Sequence, residues 1–229
     1  MRFPLSSTPP MQHKECNHGG ATRERLLAHG ARLFAERGYE ITNLRDVSAA
    51  ARANLCAVKY YFGDKAAFYQ ECVRHVWKQH HSPLAAVRLD EIRTTESWRR
   101  IVEEVAFQSA KIILNPSPNQ HLLNQIMCRE MSKPTPALNL ITGEFIKPRV
   151  ARFEKLLALG MPSGTPHREV RLRAFLVIAQ IMAFASNAPM VDMLFGPARH
   201  SPRFLRALAQ QVASSVTHDG RLNRGSNRR

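Results

Sequence analysis

The chain has 229 residues, of which 44% are hydrophobic, and it carries a formal net charge of +15. This composition excludes a low-hydrophobicity disordered polypeptide and leaves enough residues for a real core. The charge favours a polyanionic partner, with nucleic acid first and an anionic membrane surface second, although arginine-rich proteins are also common in high-GC genomes.

The cysteines indicate a reduced, cytoplasmic protein. They are widely separated and form no Cys-x-x-Cys pair: Cys16, Cys56, Cys72 and Cys128. Neither a disulfide framework nor a zinc cluster is therefore predicted. Residues 1–20 lack the apolar segment of a signal peptide. The longest apolar run, 174–185, is interrupted by Gln180 and falls short of the roughly 20 residues that a membrane helix needs.

The N-terminal residues 1–20 are expected to form a disordered arm, because they combine prolines, glycines and scattered polar residues. His13, Cys16 and His18 lie in this arm, but no fourth ligand accompanies them, so no metal and no cofactor is predicted.

Four short helices are predicted next. The first covers 23–37, with Thr22 as its cap and Gly38 as its stop. Thr42 or Asn43 caps a second helix, whose inner face is formed by Leu44, Val47 and Ala51. The third covers 55–61 with Leu55, Val58 and Phe62 inward, and the fourth covers 65–79 after Gly63-Asp64.

The rest of the chain is also predicted to be helical. Its segments, separated by proline, glycine and serine, are 97–114, 120–131, 137–159, 167–186 and 202–217. The fold class is thus all-α, with a helix-turn-helix domain at 21–68, a second helical domain at 69–217 and a basic, disordered tail at 218–229.

The third helix has the properties of a helix that enters a DNA major groove. With Leu55 and Val58 docked inward, the 100° step places Cys56, Ala57, Tyr60 and Tyr61 outward. Small side chains near the Asn54 cap allow close approach to base edges, whereas long polar side chains reach phosphates. The predicted DNA contacts are Thr42, Arg45, Asn54, Leu55, Cys56, Ala57, Lys59, Tyr60, Tyr61 and Lys65. The alternative is that the tyrosines pack and the lysines are solvated, which the joint spacing disfavours.

Residues 22–70 closely resemble the N-terminal domain of the TetR family. The matching residues are Thr22-Arg23, Leu26-Leu27, Leu33-Phe34-Ala35, Gly38-Tyr39, Thr42, Leu44-Arg45-Asp46-Val47 and Tyr60-Tyr61-Phe62 with Lys65. The later segments are similar to the CecR-type branch of that family: Arg129-Glu130-Met131, Pro134-Thr135-Pro136-Ala137 and Phe145-Ile146-Lys147-Pro148. The resemblance implies a sequence-specific transcriptional regulator, most often a repressor.

Three residues depart from the family pattern. Arg52 stands where the turn usually has glycine, so a positive φ there would strain the backbone. Lys59 replaces a tyrosine or threonine, and Tyr61 stands where many members have histidine. The operator sequence is therefore unreadable from the resemblance.

The resemblance also implies a homodimer and a small-molecule effector. The dimer seam would use two apolar stripes: Leu172, Phe175, Leu176, Ala179, Met182 and Ala183, with Leu205, Leu208, Val212 and Val216. The effector pocket candidates are Trp98, Phe107, Gln125, Met127, Met131, Phe145, Gln180 and Phe184. Taken without the resemblance, residues of both sets are more often ordinary core than interface or pocket. Arg129 and Glu130 fit either a structural ion pair or ligand recognition.

Other functions have less support. No phosphate loop, His-Glu-x-x-His or nucleophile elbow is present, so an enzyme is not predicted. The second alternative is a nonspecific architectural DNA-binding protein, but the large second domain argues against it. The third alternative is an activator of the same family. A redox role for Cys56 is disfavoured, since no neighbour in sequence activates its thiol.

Overall fold

The computed structural model describes residues 18–80 and 82–217, and the regular structure in those ranges is entirely helical. The helices are α1 His18–Arg37, α2 Leu44–Ala50, α3 Leu55–Phe62, α4 Lys65–Lys78, α5 Thr95–Leu114, α6 Pro118–Ser132, α7 Ala137–Leu140, α8 Lys147–Ala158, α9 His167–Ser186, α10 Ala188–Phe195 and α11 Pro202–Thr217. A π-helical segment, Ile141–Ile146, joins α7 to α8, and short 3-10 turns cover Pro83–Ala86, Leu89–Glu91 and Gly196–His200. The predicted all-α class is confirmed.

Side-chain caps define where the helices of the N-terminal third begin. Asn43 accepts a hydrogen bond from the Asp46 amide at the start of α2, and Asp64 accepts one from Ala67 at the start of α4. Asn43 rather than Thr42 therefore caps α2. The prediction that Thr22 caps α1 is wrong, because α1 begins at His18.

Residues 18–20, which were predicted to belong to a disordered arm, are part of α1. The remainder of that arm and the predicted tail at 218–229 lie outside the described residues.

One hydrophobic core holds α1 to α4 together and extends into the following domain. Leu26, Val47, Val58 and Phe68 are fully buried in it. Ile126 of α6 belongs to the same core, with Leu123, Ala137 and Ile141. The first four helices are therefore not packed alone, because α6 and α7 complete their core.

A second core lies among α5, α8, α9 and α11. Trp98 is fully buried there and donates its indole N–H to the Leu156 carbonyl over 2.8 Å. Gly160 lies against this ring, and a Cβ at that position would be only 2.2 Å from the ring atoms. The close approach requires glycine at residue 160.

Two elements differ from the sequence prediction. The segment 137–159 is interrupted by the π-helical turn, and α10 was not predicted. Met190, Met193 and Leu194 of α10 are exposed by 55%, 88% and 69%. Because its apolar side chains do not form a buried stripe, α10 lacks the pattern that reveals an amphipathic helix.

No single helix in the described ranges is long and apolar enough to cross a membrane. The bent pair formed by α9 and residues 188–200, with 78° between its two parts, meets that test of length and composition jointly.

We expect Arg52→Gly to raise thermal stability. Arg52 has a φ of +50°, in the left-handed region where a β-carbon is strained. Relief of that strain should stabilise the fold by about 0.5–1 kcal/mol in thermal denaturation.

Gly63→Ala is the matched control. Gly63 has a φ of +81° and open space around its Cα, so alanine there should lower stability by backbone strain alone. A lower melting temperature for Arg52→Gly would contradict the prediction.

Candidate DNA-binding site and its link to the helical domain

Helix α3 is fixed on one side and open on the other. Val58 is fully buried and Phe62 is 8% exposed, and the Phe62 ring centroid lies 4.8 Å from that of Phe68. On the opposite side Tyr60 is 83% exposed, and Cys56 and Lys59 are exposed too. The prediction that Cys56 and Tyr60 face outward is confirmed. Ala57 and Tyr61, also predicted outward, are half-buried because they pack against the first core, and Leu55, predicted inward, is half-buried too.

The N-terminal end of α3 is open and capped. The Asn54 side chain accepts a hydrogen bond from the Cys56 amide over 2.9 Å, as predicted. Asn54 and Cys56 are both exposed at this end. The first turn of α3 thus presents small and polar groups to solvent with no bulky side chain in front of them.

The prediction that Thr42 contacts DNA is wrong. It is fully buried, and its hydroxyl lies 3.1 Å from the Leu33 carbonyl and 2.8 Å from the Gly38 carbonyl. The hydroxyl therefore bonds to the backbone at the end of α1 and is out of reach of a phosphate. Arg45, three residues later, is exposed.

Lys65 joins the start of α4 to the loop after α1. Its ammonium donates to the Glu40 carbonyl over 3.0 Å and lies 4.7 Å from the centroid of the Tyr39 ring. Lys65 stays partly exposed, so the same cation is available to an external anion.

Arg129 of α6 binds the end of α1. Its guanidinium donates to the Ala35 carbonyl over 2.8 Å and also to the Glu36 carbonyl. These are carbonyls of the last helical turn, which have no partner within the helix. Gly38 leaves room for this contact, since a Cβ there would be 3.3 Å from an Arg129 nitrogen.

The adjacent Glu130 binds α4. It is 1% exposed and accepts a hydrogen bond from the Tyr69 hydroxyl over 2.9 Å. Thr135 donates to the same carboxylate through its amide and its hydroxyl, over 3.0 Å and 2.8 Å. Burial, and next the Glu130 carboxylate, raise the pKa of Tyr69 well above its ordinary value, so the phenol remains a donor. Arg129 and Glu130 are therefore structural, and they do not form an ion pair with each other.

The predicted effector residues do not line one cavity. Trp98 and Phe107 are buried in the second core. Met127 and Phe145 pack on the first core, whereas Met131 is 60% exposed. Gln180 bonds to Ser215, Phe184 contacts two other phenylalanines, and Gln125 is half-buried on α6. The prediction of a shared pocket is wrong, because residues of four different helical segments were assigned to one cavity although they belong to separate cores and to the surface.

Two cavities lie elsewhere. One, of about 290 Å³, is bounded by the end of α4, the end of α5 and the start of α6. The other is a groove of about 600 Å³ between α5 and α11. None of the eight predicted effector residues lines either one.

The predicted dimer seam is divided between exposed and buried residues. Leu172, Phe175 and Leu176 of α9 are exposed by 57%, 63% and 44%, so this stripe is uncovered. Ala183 is also exposed, and Ala179 and Met182 are half-buried.

The prediction that the apolar stripe of α11 contributes to the dimer seam is wrong. Leu205, Leu208, Val212 and Val216 are at most 9% exposed, because they pack in the second core beside α5. The side chains of α11 that face solvent are mainly polar, such as Gln210, Gln211 and Ser214.

The cysteines and metal-ligating residues form no further site within the described residues. Cys56 and Cys128 are exposed and Cys72 is buried. The described ranges contain no group of three or more His, Cys, Asp or Glu that could hold a metal ion.

Two family models match the sequence. Residues 26–72 match "Bacterial regulatory proteins, tetR family". Residues 94–218, which are more than half of the chain, match "HTH-type transcriptional dual regulator CecR, C-terminal domain". The chain belongs to the TetR family, in its CecR-like branch. The helix-turn-helix formed by α2 and α3 is therefore the DNA-binding element of a TetR-family transcriptional regulator.

Known proteins resemble this TetR-family chain over most of its length. The HTH-type transcriptional dual regulator CecR of Shigella flexneri is 23% identical over 171 residues, covering 72% of this chain and 76% of that protein. A transcriptional regulator from Rhodococcus sp. Rha1 has a TM-score of 0.62 at 19% identity, covering 86% of this chain and 97% of its own. FadR from Bacillus subtilis, solved in complex with stearoyl-CoA, has a TM-score of 0.61 at 15% identity, covering 86% of this chain and 98% of its own. Both structures share the fold.

Sequence reasoning missed the contact of α6 with the DNA-binding domain of this TetR-family chain. It singled out Arg129 and Glu130 but did not predict that their partners lie in α1 and α4. The signal that was available is a pair of adjacent charged residues at the end of an amphipathic helix.

We expect Arg129→Met to lower the free energy of unfolding by about 1–2 kcal/mol, because two α1 carbonyls lose a charged donor while an unbranched apolar stem is kept. Chemical denaturation measures the loss. Arg168→Met is the control, since Arg168 is an exposed arginine of α9, and it should leave stability unchanged. Equal stability of the two variants would show that the Arg129 contact contributes nothing.

Proposed function

We propose that this TetR-family regulator binds a palindromic operator as a homodimer and changes its DNA affinity when a small-molecule effector binds. The observation that carries this proposal is the exposed face of α3, which is held rigidly by Val58 and Phe62. The preferred mode of regulation is repression released by the effector. Activation is the alternative within the family, and the regulator is expected to act in the cytoplasm without catalysing a reaction.

Side-chain length decides which residues are proposed to contact base edges and which are proposed to contact phosphates. Cys56 and Ala57, near the capped end of α3, are short enough to let the backbone approach base edges, and Ala57 suits a thymine methyl group. Leu55 contributes apolar surface at the same end. Lys59, Tyr60 and Tyr61 are long enough for phosphates, as are Arg45 and Lys65 on the flanking helices. The net charge of +15 supports a polyanionic partner.

The exposed α9 stripe supports the homodimer. Leu172, Phe175 and Leu176 form an apolar surface that a single chain leaves in water. Burial of this surface against its twofold mate would recover the hydrophobic free energy that is lost to water. A dimer would then present its two α3 helices about 34–36 Å apart, which matches successive major grooves.

The domain limits proposed for this function are 21–68 for DNA binding and 69–217 for effector binding and dimerisation. Stearoyl-CoA is a ligand of the FadR structure, and it supports for this chain only the presence of a ligand-responsive domain. By linkage, an effector that weakens DNA binding must itself bind more weakly to the DNA-bound regulator by the same factor.

Fluorescence anisotropy on DNA from upstream of the protein's own gene tests the function. At about 0.15 M salt we expect a preference of a hundredfold or more over scrambled DNA, as specific regulators show. Equal binding to both DNAs would favour the architectural alternative, and a selection from a random DNA library would then decide between that and an operator elsewhere.

In the same assay, Lys59→Ala should weaken binding to operator and scrambled DNA about equally, since a phosphate contact carries no sequence information. The slope of the logarithm of DNA affinity against the logarithm of salt concentration should become less steep by about 1. Lys155→Ala, an exposed lysine of α8, is the matched control and should leave both affinities unchanged. A loss confined to operator DNA would assign Lys59 to base readout instead.

Phe175→Glu is expected to yield a monomer in multi-angle light scattering at micromolar concentration, because a charge would face the apolar α9 stripe of the second copy. Ile41→Glu is the control: Ile41 is 73% exposed but lies between α1 and α2, so this variant should remain a dimer. A dimeric mass for Phe175→Glu would exclude the α9 stripe as the interface.

A further inference from the structure

The smaller of the two cavities lies where α4 ends, between that helix, the end of α5 and the start of α6. Its lining contains a lysine, a histidine, five side-chain amides and no carboxylate. The lining residues are Val76, Gln79, His80, Gln108, Lys111, Ile112, Asn115, Ser117, Asn119 and Gln120.

The chemistry of this lining selects for a small organic anion. Lys111 is exposed on α5 and offers a full positive charge. Each of the five amides already donates one N–H within the protein, so only its second N–H is left for a ligand. Val76 and Ile112 supply an apolar wall for the body of the ligand. A volume of about 290 Å³ is at the small end of ligand pockets, so the ligand is small.

A buried donor without a protein acceptor and a cation without a carboxylate partner lie on the elements behind the cavity lining, although neither lines the cavity itself. Trp77 follows Val76 in α4, is 4% exposed, and its indole N–H has no acceptor in the described part of the chain. The Arg149 guanidinium lies 5.1 Å from the centroid of the Trp77 ring and pairs with no carboxylate of the described residues. Burial lowers the pKa of Arg149, as expected for a cation without a counter-ion. The Trp77 ring in turn lies 6.3 Å from the ring of His80, which lines the cavity.

We propose that this cavity is the effector site and that it binds a small organic anion whose carboxylate contacts Lys111. The assignment rests on the ligand response proposed above and adds the site and the chemical class of the ligand.

The position of the cavity explains how such a ligand would act on DNA binding. Two hydrogen bonds join α4 to α6 at the cavity, Gln79 with Asn119 and His80 with Gln120. An anion that takes over these amides changes the separation of the two helices at this end.

The far ends of both helices hold the DNA-binding domain. Tyr69 and Phe68 in the first half of α4 are buried in the core of α1 to α3, and Arg129 at the end of α6 holds α1. Movement at the cavity is therefore passed to both sides of the domain that carries α3.

The larger groove between α5 and α11 is a poorer candidate. Its wall mixes both charges, with Arg206 lying 3.7 Å from Glu104. It borders neither α4 nor α6, so a ligand there has no direct contact with the helices that hold the DNA-binding domain.

The test uses the full-length protein and a matched pair of probes, 4-fluorobenzoate and the neutral 4-fluorobenzamide, followed by ¹⁹F NMR. We expect 4-fluorobenzoate to bind wild type, Lys155→Gln and Lys111→Arg, and to bind Lys111→Gln roughly tenfold more weakly, because a charge-assisted contact is lost. The benzamide should bind wild type roughly tenfold more weakly than the benzoate. Thermal melting of each variant confirms that it is folded.

Three results would overturn the assignment of this ligand site: no binding of 4-fluorobenzoate, equal affinity for both probes, or wild-type affinity in Lys111→Gln.

Fluorescence anisotropy of labelled DNA, measured with and without 4-fluorobenzoate, tests the effect of this ligand on DNA binding. A change of DNA affinity in wild type that is lost in Lys111→Gln supports the effector role, and no change in wild type overturns it. Failure of the protein to bind specific DNA without any probe would overturn the proposed function while leaving the NMR result in place.

Discussion

The reading of DNA by this protein depends on a helix that is too short to be stable by itself. Helix α3 has eight residues, and isolated helices of that length do not persist in water. Its geometry is set by the burial of Val58 and Phe62 against α1 and α4. Since Ile126 of α6 belongs to the same core, the position of the exposed α3 face is also a property of the second domain.

The local part of this arrangement could be predicted from the sequence. The 100° step along 55–62 identified Cys56 and Tyr60 correctly as outward, but it also placed Ala57 and Tyr61 there, which are half-buried against the first core. The positive φ at Arg52 was anticipated from the resemblance to the TetR family, in which glycine usually stands at this turn. Thr42 could not be assigned in the same way. A threonine beside a helix start looks alike in sequence whether its hydroxyl faces solvent or, as here, bonds to carbonyls at the end of the preceding helix.

The tertiary part was harder to predict, because a periodic apolar stripe reveals that a face is buried but not what buries it. The stripes of α9 and α11 look equivalent in sequence, yet Phe175 is 63% exposed and Val212 is 1% exposed. Likewise the aromatic and methionine residues of the middle helices suggested one pocket and proved to belong to two cores and the surface. The polar cavity at the end of α4 was overlooked because amides and a lysine carry no hydrophobic pattern.

Because Arg129 and Glu130 are adjacent, α6 contacts two different helices of the DNA-binding domain. Successive residues leave an α-helix about 100° apart, so one side chain grips the backbone of α1 while the next grips a side chain of α4. Sliding of α6 along its axis carries α1 and α4 in the same direction. Rotation of α6 about that axis displaces them along different directions and shears one against the other. A 15-residue helix is about 22 Å long. A small tilt of α6 at its first turn therefore displaces the Arg129 and Glu130 contacts in its last turn.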